Sequence, residues 1–399
     1  MTDQNPANEL PIAFPQVEIA GSPRERGRSY GEQVPDRIEM AAGLYRGSLA
    51  GLKTQEHDIH NLADAFLREV EQFDPDQVEE IRGISEGSGV ALHDVILINA
   101  RRELVSMAGT LFAGTDDECT AAAVLPQASA TGELFHGQNW DTSPHHAQHS
   151  LVLRVRQTDG PDILTFTEAG ALGRSGLNSA GIAITGNHLV SERDYKLTGV
   201  PLPLIRRKAL TTSIYALALS AVYATKKSGS NNMMVSHAAG EAVDIECAPD
   251  ESFLLHPLNG ILTHANHWES IPALSKLRDL GATNDSALAS TPCSIFRSER
   301  IRRLLDLEAQ RGGITYEFFR DSFLDSFDSP YSICRPPRMA AVGSGTSATA
   351  ATIVMNPGAG FMDVAPLPAL GARWTRYYVS GGEPETVSTA VGLASLASS

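Results

Sequence analysis

Thr115-Asp116-Asp117-Glu118-Cys119-Thr120-Ala121-Ala122-Ala123-Val124 sets a cysteine behind three acids and at the head of an apolar, strand-like run. A second short run, Phe135-His136-Gly137-Gln138-Asn139-Trp140-Asp141, follows it. If the two runs pair as strands, a thiol sits at the head of one and a carboxylate near the end of its neighbour. The chain before Cys119 reads as helical and the chain after it mostly as strand. Cys119 therefore marks a boundary, and the expectation is that the protein cuts itself there.

Working outward, the N-terminal side is organised by helical spacing. Asn61-Leu62-Ala63-Asp64-Ala65-Phe66-Leu67-Arg68-Glu69-Val70 has apolar residues on one face. Asp74-Pro75-Asp76 reads as a helix start, with proline in the first turn and acids at the positive end of the dipole. Gly83, Gly87 and Gly89 are expected to interrupt the helical pattern before residues 95–104. Beyond Cys119 the period becomes two. Leu151–Arg156 and Asp162–Thr167 read as a hairpin across Thr158-Asp159-Gly160-Pro161, and Gly181–Gly186 as a third strand. A single long helix is expected over 203–225. Strands follow at 232–236, 242–247, 252–256 and 260–264, helices at 293–310 and 315–326, and two last strands at 352–355 and 361–365. Residues 1–15 and 385–399 look like loose ends.

Strands and helices in separate blocks point to an α+β protein with two stacked, mostly antiparallel sheets between helical layers. The expected architecture is a four-layer αββα sandwich. Residues 1–118 form its helical segment and 119–399 its β-rich segment, the two together making one domain.

The chain has 399 residues, 42% of them hydrophobic and 20% charged, with a net charge of −15. That field disfavours nucleic acid or an anionic membrane surface as a partner. The N-terminal residues show no secretory pattern, and no apolar run approaches the ~18 residues of a membrane span. A cytoplasmic location with reduced thiols is the expectation. The four cysteines, Cys119, Cys247, Cys293 and Cys334, have no CxxC spacing.

Cleavage between Glu118 and Cys119 would give Cys119 both a thiol and an α-amine. Model values of ~8.5 and ~7.7–8.0 put that pair near the proton balance that a nucleophile and its base require. The same sulfur can cut the bond, by attacking the Glu118 carbonyl and forming a thioester that water resolves. Asp116, Asp117 and Glu118 are expected in an exposed loop presented to the site. Asn266, at the end of Ile261-Leu262-Thr263-His264-Ala265-Asn266-His267-Trp268, is the candidate oxyanion donor. Asp141 is the candidate for holding the ammonium.

Cys119-Thr120, then Gly137-Gln138-Asn139-Trp140-Asp141, then His264-Ala265-Asn266-His267 resemble the acyl-coenzyme A:6-aminopenicillanic acid acyltransferase family, cysteine N-terminal nucleophile hydrolases of peptidase class C45. Residues 24–31, 80–87, 99–103 and 332–335 are similar to further segments of it, so the likeness runs through most of the chain. The resemblance implies the αββα fold of the N-terminal nucleophile hydrolases and autocatalytic maturation into a small and a large chain. It also implies Cys119 as nucleophile, Asn266 in the oxyanion hole and Asp141 near the amine. It offers Asn139, Asn187, His267, Arg297 and Arg335 as substrate-binding candidates. Asn187 lies in Gly186-Asn187-His188, which resembles a polar corner that bile-salt and penicillin V hydrolases place over the substrate carbonyl. Glu118 departs from the glycine of the penicillin-making enzyme, and Ala121 departs from its threonine.

Other signals are weaker. His145-His146-Ala147-Gln148-His149 is expected in a loop and lacks spacing for a metal set, so no metal and no resident cofactor are expected. Gly343-Ser344-Gly345-Thr346-Ser347 lacks the lysine of a P-loop and reads as a turn. Arg297, Arg300, Arg302 and Arg303 share a helix, with one of them at most expected to turn inward. The expected reaction is attack on a linear amide of a small N-acyl compound, with water taking the acyl group. The alternative is transfer from a thioester donor such as coenzyme A to an amine. The partners expected are the amide substrate and the chain's own two fragments as a heterodimer, with a homo-oligomer left open. A β-rich binding protein with an inert Cys119 is the non-enzyme alternative.

Overall fold

The computed structural model describes residues 12–50, 56–107, 118–278, 291–339 and 346–388. Thr115-Asp116-Asp117, Gly343-Ser344-Gly345 and the tail 389–399 lie outside them. The chain opens with β1 (Gln16–Ile19) and continues through α1 (Pro23–Gln33), α2 (Pro35–Ala50), α3 (Glu56–Phe73), α4 (Pro75–Ser88), α5 (Leu92–Asn99) and α6 (Arg101–Met107). The segment that begins at the acid–cysteine boundary follows. It comprises β2 (Glu118–Val124), β3 (Phe135–Thr142), α7 (His146–His149), β4 (Ser150–Val155), β5 (Ile163–Glu168), β6 (Ser175–Asn178), β7 (Ile182–His188), α8 (Leu202–Leu210) and α9 (Tyr215–Tyr223). It ends with β8 (Asn231–His237), β9 (Glu241–Cys247), β10 (Ser252–Leu255), β11 (Ile261–His264), α10 (Ile271–Lys276), α11 (Thr291–Gln310), α12 (Tyr316–Ser322), β12 (Arg338–Met339), β13 (Thr346–Asn356), β14 (Phe361–Pro366), β15 (Trp374–Tyr378) and β16 (Glu385–Val387).

The strands form two sheets. One runs β1-β4-β5-β6-β7-β8-β9-β10, antiparallel except for the parallel β1–β4 pair, and the other runs β11-β2-β3-β13-β14-β15-β16 with β12 beside β13. Side chains from both sheets meet in one core, where Cys119, Trp140 and Ile353 lie among Val152, Phe166 and Ala183. The outer face of the first sheet packs Leu151, Ile184 and Val235 against the N-terminal helices, α8 and α9. The outer face of the second packs Val124, Phe135 and Val354 against Ile301, Leu305 and Phe319 of α11 and α12. This is the expected four-layer αββα sandwich. The predicted 151–156/162–167 hairpin is β4–β5 in antiparallel register.

Local chemistry explains the helix ends. Ser22 and Glu25 form a capping box at α1. The Asp74 side chain accepts from the Asp76 N–H at 3.2 Å, with Pro75 in the first turn of α4. Gly89 closes that helix at φ 75°, a left-handed position that glycine takes without strain.

Gly83 and Gly87 do not interrupt the helical region. Both lie inside α4 and let its backbone touch that of α1. A Cβ on Gly83 would sit 2.3 Å from the Arg24 carbonyl oxygen, and one on Gly27 would sit 2.0 Å from that of Glu80. The glycines at 27, 31, 83 and 87 thus form one backbone-to-backbone seam.

Other expectations are corrected. The helix foreseen over 203–225 is two helices, broken between Leu210 and Tyr215, where Thr212 Oγ1 accepts from the Ile214 N–H. His146–His149 is a short helix, not a loop. The ends are not loose throughout, because Phe14 lies in the core between the sheets and β16 pairs with β15. Among the described residues, no helix is long and apolar enough to cross a membrane.

Gly27→Ala is expected to lower stability by roughly 3 kcal/mol, because neither backbone can give way. Gly47→Ala is expected to be neutral or slightly stabilising, since Gly47 lies in α2 with open space around it. Urea midpoints of the two variants measure the contrast.

Candidate active site

Strand alternation divides the neighbourhood of Cys119 between two faces. β2 and β3 pair with Glu118 opposite Asp141, Cys119 opposite Trp140 and Thr120 opposite Asn139. Cys119 and Trp140 point into the space between the sheets, whereas Glu118, Thr120, Asn139 and Asp141 point toward the α11 layer.

On the α11 side, the Glu118 carboxylate is the centre of a buried ionic knot. Arg297 Nη2 donates to Glu118 Oε2 at 2.6 Å, and Arg335 Nη2 donates to the same oxygen. The Cys293 thiol donates to it at 3.2 Å. Burial alone would raise the Glu118 carboxyl, but Arg335 and Arg297 outweigh it and hold it below the usual range. The expected exposed position of Glu118 is therefore wrong. The residue is buried, because two guanidinium groups replace its water. Arg297 also donates to the Cys119 carbonyl and, at 2.7 Å, to Thr120 Oγ1. One arginine thus grips three consecutive residues across the proposed cut.

Asn266 follows β11, which pairs with β2 so that His264 faces Ala121. Its Oδ1 accepts from the Cys119 N–H at 2.7 Å and from Arg297 at 3.0 Å, while its Nδ2 donates to the His188 carbonyl at 3.0 Å. The loop carrying Asn266 is fixed from behind. Glu246 accepts from His264 at 2.9 Å and from the backbone N–H groups of Glu269 and Ser270. Burial would push His264 down, but Asp244, Glu269 and Glu246 outweigh it and raise it to about 10.

Asp141 does not touch Cys119 in the continuous chain. Its Oδ1 accepts from Thr349 at 2.7 Å, and its Oδ2 lies 3.5 Å from Arg335 Nε. Burial raises its carboxyl against the pull of Arg335 and Arg297. Asn139 is also directed elsewhere. Its amide donates to the Phe323 and Ile333 carbonyls at 2.8 and 2.9 Å and accepts from Thr352 at 2.6 Å. It ties β3 to the α12 region and is not among the residues that line the cleft beside Cys119. His267 is bound through Nδ1 to Ser294 at 2.8 Å, and burial and His264 push it down to about 3. Arg297 and Arg335 are both fully buried. Arg300 turns inward as well, pairing with Asp325 at 2.7 Å, so two arginines of α11 are buried where one at most was expected.

Cys119 opens on a small cleft between α6, β7 and α8. Of the sequence-derived substrate candidates, only Asn187 lines it. The Asn187 Nδ2 donates to the His264 carbonyl at 3.1 Å, and its Oδ1 accepts from Gln138 at 2.7 Å. The rest of the lining includes Arg101, Arg102, Glu103, Arg174 and Arg206. Sequence reasoning touched 99–103 and 186–188 as segments but assigned no role to these arginines. Arg206 carried no signal, because it lies in a stretch read only as helix.

His146, His149 and Glu168 bring three potential ligand atoms together. Arg101 Nε lies 3.5 Å and Arg174 Nη1 3.9 Å from the same carboxylate, so a cation there would face two positive charges.

The sequence profile of a family described as acyl-coenzyme A:6-aminopenicillanic acid acyl-transferase matches residues 129–364, more than half of the chain. A protein of Emericella nidulans named acyl-coenzyme A:6-aminopenicillanic-acid-acyltransferase 40 kDa form is 28% identical over 334 residues, covering 80% of this chain and 84% of that one. A variant of the conjugated bile acid hydrolase of Clostridium perfringens is 13% identical at a TM-score of 0.48, over 68% of this chain and 96% of that one. Penicillin V acylase of Agrobacterium tumefaciens is 11% identical at a TM-score of 0.35, over 69% of this chain and 84% of that one. The fold assignment rests on the two sheets and four layers described above.

Glu118→Gln removes the charge that two buried guanidinium groups share. It is expected to cost about 3–5 kcal/mol, the range for breaking one partner of a buried pair, measurable as a fall in the urea midpoint. His264 gives a pH signature. Its folded value of about 10 exceeds its unfolded value, so its contribution is complete below about 6.5 and is lost as pH rises through about 10. Glu246→Gln is expected to flatten that fall in a Tm series from pH 6 to 10.

Proposed function

Because the chain belongs to the acyl-coenzyme A:6-aminopenicillanic acid acyltransferase family, we propose that it cuts itself before Cys119 and then uses Cys119 to take the acyl group of a small N-acyl compound. The membership makes it an enzyme of amide and acyl-transfer chemistry. The observation that carries the finer reading is the hydrogen bond from the Cys119 backbone N–H to Asn266 Oδ1 at 2.7 Å, beside a cleft that the Cys119 side chain lines.

A peptide nitrogen is no base, so the chain must be cut before the chemistry begins. Cys119 Sγ attacks the Glu118 carbonyl, the C–N bond breaks, and the nitrogen leaves as the α-amine. Water then hydrolyses the thioester, giving a Glu118 carboxyl terminus and a free thiol. In the cut enzyme the nitrogen held by Asn266 Oδ1 is an amine that can take the Cys119 proton. The sulfur attacks the substrate carbonyl, and the same proton passes to the leaving amine. Water, deprotonated by the α-amine, resolves the second thioester.

Asn266 serves twice. Its oxygen orients the amine, and the second hydrogen of Nδ2, the first being spent on His188, serves the oxyanion. Asp141 is the residue expected from the sequence to hold the amine. The geometry favours Asn266 for that role, with Asp141 setting the position of Arg335. Arg297 and Arg335 are better understood as holding the strand start than as contacting substrate.

The name of the fungal relative favours a second reading, in which an amine receives the acyl group from a thioester such as a coenzyme A ester. Both readings share the acyl-enzyme.

Rapid quench of the cut protein with an N-acyl substrate, followed by intact mass, is expected to show the acyl mass on the fragment beginning at Cys119. Pre-cut Asn266→Ala is expected to form that adduct about 10²–10³-fold more slowly. An adduct elsewhere, or turnover with no adduct and full activity in Asn266→Ala, would contradict the proposal. Adding an amine acceptor with either donor separates hydrolysis from transfer by product.

A further inference from the structure

Among the described residues that line the cleft beside Cys119, Arg206 is the arginine left without a hydrogen-bonded partner. Arg101 and Arg174 both approach Glu168, and each lies over the Trp140 ring, at 5.9 and 3.9 Å from its centroid. Arg102 faces His188 Nε2 at 3.0 Å. Arg206 differs from all three. It is 6% exposed, its Nε has no hydrogen-bond partner, and among the described residues it makes no hydrogen bond or contact ion pair. The adjacent Arg207 shows what a structural arginine looks like here. It donates twice to Glu80, at 2.9 and 3.0 Å, and once to the Leu172 carbonyl at 3.0 Å.

The groups that pull Arg206 upward are Cys119 and then Glu103, and Glu103 is a poor counterion. It accepts from the Leu202 N–H at 3.1 Å, and burial raises its carboxyl toward the neutral form. Burial, with Arg174 adding to it, lowers Arg206 toward about 9, which still leaves a cation at neutral pH. Such a group is costly to keep out of water without a partner. The seat is also shaped for it. A Cβ on Gly186 would lie 2.7 Å from Arg206 Nη2 and 2.9 Å from Nε, so the bare backbone of β7 lets the guanidinium lie flat beside the cleft.

We propose that Arg206 binds a carboxylate of the substrate, so that the N-acyl compound taken by Cys119 is an anionic one. The inference rests on the nucleophile role of Cys119 and adds the recognition group. A planar guanidinium fork matches a carboxylate through two parallel hydrogen bonds. The phosphates of a coenzyme A thioester do not suit this seat. They lie a full pantetheine arm from the reacting carbon, whereas Arg206 lines the same cleft as the sulfur.

Two alkylating agents with the same leaving group test this. Iodoacetate carries a carboxylate where iodoacetamide carries a neutral amide. Labelling of Cys119 in the purified full-length protein is followed by peptide mass, with N-acetylcysteine as reference. The expected ratio of iodoacetate to iodoacetamide rates at Cys119 is roughly tenfold above that of the reference. In Arg206→Met most of that excess disappears while Tm holds or rises, because a buried uncompensated cation has been removed. Arg206→Gln supplies the same comparison should the methionine variant not fold. A ratio at the reference value, or one unchanged in the variants, overturns the inference and leaves the nucleophile reading intact. Equal slowing of both reagents also overturns it, since Arg206 would then act on the thiolate. No labelling of Cys119 by either reagent overturns the nucleophile reading and this inference together.

Discussion

The Glu118 carboxylate sits between two fully buried guanidinium groups, and the start of β2 is held by that contact. Arg297 extends the grip to the Cys119 carbonyl and the Thr120 hydroxyl, so three consecutive residues have little freedom. Alternation then fixes the rest. With Glu118 and Thr120 turned to the α11 layer, the Cys119 side chain has only the space between the sheets. The knot also carries a consequence for the proposed cut. Cleavage would make Glu118 a chain terminus and add a second negative charge beside Arg297 and Arg335. Those two cations are placed to receive it, and Arg335 is shared with Asp141.

The cleft and the surface have opposite electrostatic character. The chain carries a net charge of −15, yet four arginines line the cleft around Cys119. Arg101 and Arg174 approach Glu168, Arg102 meets the His188 ring, and all three help to build the wall. The fourth is held desolvated against a glycine strand, where a better-paired residue would give a more stable protein. Sites of this kind trade stability for a function, and the trade is visible here in a single side chain.

Much of the fold could be inferred from the sequence. The change of period at Cys119, the β4–β5 hairpin and the capped start of α4 are local signals, and each was found where expected. The failures share a physical cause. In a four-layer sandwich both faces of a sheet are buried, so alternation does not reveal which face a residue takes. Asn139 was offered for substrate binding by the family resemblance, but its side chain belongs to the outer face and holds the α12 region. Glu118 looked exposed because acids precede it, and the arginines that bury it lie far along the chain. Arg206 could not have been found locally. Its meaning depends on the absence of a partner, which only the packed structure reveals. Asn266 and Asp141 both lie by the β2 head, but it is Asn266 whose oxygen meets the Cys119 nitrogen, while Asp141 meets Thr349 and Arg335.

The central claim is that Cys119 becomes an N-terminal residue by its own chemistry. Intact mass of the purified protein beside Cys119→Ala tests it most directly. The account predicts two fragments from the parent, residues 1–118 and 119–399, and a single uncut chain from the variant. A folded parent that remains one chain on ageing, or a variant cut at the same bond, would contradict it.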